Sequence, residues 1–84
     1  MDKSTIYKKL YKKFNPEYLM VQNESHLHKN HPQSPKGGNS HFFVEIKSDF
    51  FKKLNAIQSH REIFNILSDE MKNGLHALRI KIRN

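Results

Sequence analysis

The 84-residue chain has no cysteine and no tryptophan, few glycines and prolines, and no long apolar run. Each shortage excludes something. Without a thiol there is no disulfide framework, no thiolate nucleophile, and no Cys-type zinc or self-sufficient iron–sulfur site. No stretch approaches the ~20 apolar residues of a membrane span, so no membrane partner is expected. Acidic residues are also scarce. Fifteen Lys and Arg against eight Asp and Glu give a net charge of +7, which suits an acidic partner such as nucleic acid or an acidic protein surface. The basic residues run from Lys3 to Arg83 without gathering into one block.

What is present suffices for one small domain over 1–84, burying ~60–65% of its unfolded surface. The Lys-rich start DKSTIYKKLYKKF reads as a domain helix over 4–14 with Ser4 as N-cap. Ile6, Tyr7, Leu10, Tyr11 and Phe14 form its apolar stripe. Asp2 and the lack of arginine argue against a transit peptide, and Pro16 ends the helix. A first strand is expected over 17–24, with Leu19 and Val21 in phase. A second, HFFVEIK, puts Phe42, Val44 and Ile46 on one face and His41, Phe43, Glu45 and Lys47 on the other.

After Ser48-Asp49 a short helical turn precedes the main helix over 59–72, whose buried stripe is Ile63, Phe64, Leu67 and Met71. Gly74 stops it. LHALRIKI alternates as a third strand, with His76, Leu78, Ile80 and Ile82 on one face and Leu75, Ala77, Arg79 and Lys81 on the other. A hairpin followed by a helical crossover makes the third strand parallel to the second. The expected class is α+β, in the order α-β-β-α-α-β: a three-stranded mixed sheet with helices packed on one face, KH-like in arrangement.

Between the first two strands lie about sixteen residues that hold His26, His28 and His31 together with Pro32, Pro35, Gly37 and Gly38. Hairpin loops need only two to five residues, so this one is expected to be functional, or poorly ordered without a partner. Three loop imidazoles can reach one zinc ion, yet no nearby carboxylate or thiolate completes a known spacing. Ser40-His41 and Ser59-His60 are neighbours in sequence without the context of a nucleophile, and no enzyme is expected. A nucleic-acid reading places Lys52, Lys53, Gln58, Ser59 and Arg61 against phosphates in a helix-turn-helix. The three glycines cannot form the G-x-x-G clamp of a KH module.

Four motifs in order carry a resemblance. NPEYLMVQNES, SHFFVEIKSDFF, SHREIFNILSDEM and LHAL together resemble the BolA family over residues 4–82, with unbroken spacing from Ser48 to Leu78. Two positions depart from its pattern: Lys53 replaces a glycine, and Ser59 the first arginine of Arg-His-Arg. Both lie where DNA contacts were proposed for the family.

The resemblance implies a KH-like fold and a non-enzymatic adaptor, monomeric alone, that pairs with a monothiol glutaredoxin and its glutathione. The pair would share a 2Fe–2S cluster in iron–sulfur assembly, trafficking or iron regulation. The alternative, which follows from the charge and the KH-like order, is a small nucleic-acid-binding transcriptional regulator. The metal ligands that the resemblance implies are His76, from His-Ala-Leu, and a loop histidine. His28 ranks first by its distance from Ser25, with His31 and His26 as alternates. Arg79, His60 and Arg61 are expected at the partner interface. The cytoplasm is the expected location, with the nucleus, or the mitochondrion given an upstream presequence, as alternatives.

Overall fold

The computed structural model describes residues 2–24, 41–75 and 77–83. His26, His28, His31 and His76 lie outside them, as does the segment expected to be poorly ordered.

The first helix, α1 (Lys3–Phe14), begins two residues earlier than Ser4 as N-cap implied. Asp2 is the N-cap, its Oδ1 accepting the Thr5 amide at 2.9 Å, while Ser4 lies exposed inside the helix. A carboxylate satisfies the free amides and meets the positive helix end, so it displaces the later serine as cap. That hydrogen bond holds the Asp2 carboxyl below the usual aspartate range. At the other end Asn15 takes a left-handed conformation (φ 44°) and its amide closes on the Tyr11 carbonyl at 3.0 Å before Pro16. Only Ile6, Leu10 and Phe14 are buried. Tyr7 and Tyr11 are exposed and stack on each other at 6.1 Å, a correction to the five-residue stripe. One helix on a three-stranded sheet buries a single i, i+4, i+8 row, and tyrosines beside that row keep their hydroxyls in water.

Strand β1 (Tyr18–Asn23) pairs antiparallel with β2 (His41–Lys47), and β2 pairs parallel with β3 (Ala77–Ile82), giving the sheet order β1-β2-β3. In register, Val21 faces Val44 and Leu19 faces Ile46. Across the parallel pair, Phe42, Val44 and Ile46 face Leu78, Ile80 and Ile82. These positions share the face against which α1 and the later helices pack, and with Phe51, Ile63 and Leu67 they make one hydrophobic core. Leu19, Leu78 and Ile80 sit at its half-buried margin.

Between β2 and β3 come a 3-10 turn (Asp49–Phe51), α2 (Ala56–Ile66) and α3 (Ser68–Lys72). The single helix expected over 59–72 therefore starts three residues earlier and is interrupted. Asn55 and Gln58 form a capping box, each side chain accepting the other residue's amide, at 2.8 and 3.0 Å. At Leu67, ψ of 17° breaks the run. Beyond the break the buried Glu70 meets Lys9 of α1 with both carboxylate oxygens, at 2.8 and 2.7 Å. Phe64, expected in the core, is 37% exposed. It follows Ile63 by 100° around α2, and Ile63 and Leu67 already fill the row facing the sheet.

Gly74 (φ 119°) ends α3, and the Leu75 amide reaches back to the Glu70 carbonyl at 3.0 Å. This is a Schellman closure that only glycine enters without strain. It turns Leu75 into the core, where it is buried, and strand β3 begins after it. The alternation that assigned Leu75 to the open face holds only from Ala77 onward.

Candidate functional site

The sheet gathers three strand ends at one edge. The Glu24 amide, just past β1, donates to the His41 carbonyl at 2.8 Å at the start of β2, and His41 lies beside Ala77 at the start of β3. Residues 25 and 40 bound the histidine-rich segment and residue 76 precedes β3, so the described residues that flank both candidate ligand regions meet here. Among the described residues, no three His, Asp or Glu side chains converge as a metal site.

Arg79 braces this edge. From β3 it holds Glu24 in a two-pronged ion pair, Nε to Oε1 at 3.0 Å and Nη2 to Oε2 at 2.8 Å, and its guanidinium lies 4.4 Å over the Phe43 ring. One side chain so links all three strands on the open face. The Glu24 carboxylate raises the guanidinium above its ordinary value, and the planar fork suits both contacts. Glu24 and Phe43 were missed as functional positions. The signal for Glu24 lay in Asn-Glu-Ser, a motif that gains its meaning only once Arg79 stands opposite. At the other end of that face, Arg83 holds Glu45 at 3.1 Å and lies 4.7 Å over Tyr18.

The residues of the helix-turn-helix reading do not form one phosphate-facing surface. Ser59 is buried, 2% exposed, because it sits on the inner side of the first turn of α2; its expected place on an open nucleic-acid-facing surface is corrected. Gln58 is committed to the capping box. Lys52 holds Asp49 at 2.8 Å, a contact that raises the lysine and lowers the carboxyl from their ordinary values. Lys53 and Arg61 remain exposed, and His60 is half-buried. Of the three expected interface residues, His60 and Arg61 lie on α2 and Arg79 on β3. No helix among the described residues is long and apolar enough to cross a membrane.

A family model described as BolA-like protein matches residues 10–84. The protein named DNA-binding transcriptional regulator BolA from Haemophilus influenzae is 38% identical over 77 residues, which cover 92% of this chain and 71% of that protein. Its namesake from Vibrio cholerae is 41% identical, over 95% and 72% of the two chains. Among solved structures, BolA1 from Arabidopsis thaliana superposes with a TM-score of 0.88 at 30% identity, covering 99% of this chain and 90% of that one. The BolA domain of SufE1 from the same plant gives 0.85 at 36%, over 96% and 88%. The names carried by these relatives are those of regulators and BolA proteins, not of enzymes. By a family match over most of its length, by identity with these relatives and by a shared α+β fold, the chain belongs to the BolA family.

Proposed function

We propose that this protein is a non-enzymatic adaptor that binds a monothiol glutaredoxin and shares a 2Fe–2S cluster with it through His76 and one loop histidine. The observation that carries the reading is the pairing of Glu24, His41 and Ala77 at one sheet edge. It brings the described neighbours of two histidine-bearing segments together, although those segments are 36 residues or more apart in sequence.

The donor chemistry fits half of such a site. The chain offers six imidazoles and no thiolate, so the thiolates must come from the partner and its glutathione. When bound, a cluster with imidazole in place of thiolate on one iron has a raised reduction potential and proton-sensitive ligation. The protein's own contribution is to present His76 and a loop histidine, with His28 ranked before His31 and His26, beside a rigid edge. The Arg79–Glu24 pair and the Arg79–Phe43 contact keep that edge in register.

Mixing the protein with a cluster-loaded monothiol glutaredoxin should form a complex on gel filtration and change the visible absorption and CD spectra toward mixed imidazole and thiolate ligation. His76→Ala should keep the native far-UV spectrum and lose that change. No complex and an unchanged spectrum would refute the proposal. A second reading, nucleic-acid binding, is favoured by the name of the Haemophilus relative and by the net charge of +7. A salt titration separates the two: specific binding keeps its sequence preference as affinity falls, whereas polycation binding vanishes near physiological salt.

A further inference from the structure

At the end of the sheet opposite the histidine segments lies a cavity of about 400 Å³. The C-terminal ends of β2 and β3 bound it on one side. The turn after β2 and the first turn of α2 close the other. β2 runs six residue steps from His41 to Lys47, so the two ends of the sheet are about 20 Å apart at ~3.3 Å per residue.

We propose that this cavity binds a small organic phosphate, with its phosphoryl head at the start of α2 and its apolar body along the wall formed by Phe51, Leu54 and Ile82. Four observations carry this.

The first is charge. Among the described residues Lys47, Lys52 and Arg83 line the cavity and no acidic residue does, although the Arg83 head is turned to Glu45 and Tyr18 on the open face. Their present partners, Glu17 at 3.5 Å, Asp49 at 2.8 Å and Glu45 at 3.1 Å, lie outside the lining. Such exposed ion pairs exchange readily. A rim with an excess of basic residues suits a dianion better than a neutral ligand.

The second is the helix end. The capping box satisfies the amides of Asn55 and Gln58, which leaves those of Ala56 and Ile57 without an intrahelical acceptor. Ala56 lines the cavity. Amides at the start of an eleven-residue helix favour a phosphate.

The third observation points to the ligand independently. Ser59 lines the cavity and is 98% buried. Among the described residues its hydroxyl has no hydrogen-bond partner, although no fully enclosed side-chain polar atom goes unsatisfied. The hydroxyl therefore opens into the cavity, where it can donate to an oxygen of the head.

The fourth is shape. A concave site of this volume with apolar and polar sides matches small-ligand pockets, whereas a nucleic-acid backbone needs an open basic face. Ser59 also stands where the Arg-His-Arg pattern has arginine. The short side chain leaves open the volume that a longer one would take up.

The test is amide NMR on the full chain at constant pH and ionic strength, titrated with phenyl phosphate, inorganic phosphate, phenylacetate or phenol. Phenyl phosphate should give saturable shifts at Ala56, Ile57, Ser59 and His60. Inorganic phosphate and phenylacetate should bind at least tenfold more weakly, and phenol should leave these amides in place. Ser59→Ala should weaken phenyl phosphate several-fold, and Ser59→Arg should abolish its binding. In both variants the dispersion of the core amides reports that the fold is retained. Equal binding of phenylacetate would overturn the phosphate assignment. Unchanged binding in Ser59→Ala, or unsaturable shifts spread over Lys8, Lys12 and Lys13, would overturn the site.

Discussion

Replacing Ser48 with alanine tests how the turn after β2 is fastened to the end of α1. The Ser48 hydroxyl is buried, donates to the Phe14 carbonyl at 2.6 Å and accepts the Phe50 amide at 3.2 Å. Phe14 ends its helix, so its carbonyl has no intrahelical donor. In Ser48→Ala that carbonyl stays buried without a partner, at a cost of about 1–3 kcal/mol. Loss of the cap on the short 3-10 turn adds about 0.5–1 kcal/mol, at the low end because the bond is long. The expected total is about 2–3 kcal/mol. Total stability for a domain this size is about 4–12 kcal/mol, so the melting temperature should fall by about 10–20 °C. Urea unfolding followed by far-UV CD should show a lower midpoint with an unchanged slope. Ser4→Ala is the control, since Asp2 is the cap and Ser4 is exposed; its effect should stay within about 0.5 kcal/mol. A Ser48→Ala loss no larger than that of Ser4→Ala would refute the reasoning.

Gly74→Ala should destabilise by about 1–2 kcal/mol, because φ of 119° is open only to glycine without strain; the denaturant midpoint reads it, and an unchanged midpoint would show that the closure adjusts. Lys9→Met strands the buried Glu70 carboxylate and should cost about 2–3 kcal/mol, less than a fully buried pair because Lys9 is one-third exposed. The double variant Lys9→Met, Glu70→Met should recover most of that loss, which a double-mutant cycle measures. The lowered Asp2 carboxyl contributes stability that is fully present above the ordinary aspartate value, near pH 4, and is lost as pH falls through its folded value. Acid titration by CD should show this helix-end contribution fading below about pH 4 in the native protein. In Asp2→Asn, which keeps the cap without the titration, that contribution should be absent.

Much of the fold was legible because it rests on local chemistry. Period-two alternation in HFFVEIK and ALRIKI, the Pro16 stop and the Gly74 stop each act within a few residues, and each recurs in the structure. The capping box Asn55-x-x-Gln58 is equally local. Other features depend on what a neighbouring element covers. That α1 buries three residues and leaves Tyr7 and Tyr11 outside follows from the width of the sheet beneath it. Phe64 lies outside because Ile63 and Leu67 occupy the inner row.

The candidate site divides the same way. Sequence alone named the histidine segments and showed that no thiolate accompanies them, because residue identity needs no fold. Only the tertiary structure brought Glu24, His41 and Ala77 to one edge, since the parallel pairing of β2 with β3 joins positions 36 apart. It alone gave Arg79 its partners, Glu24 and Phe43, from two other strands. It also turned Ser59 from an expected surface contact into the buried lining of a cavity, because the inner side of a helix is defined by what packs against it.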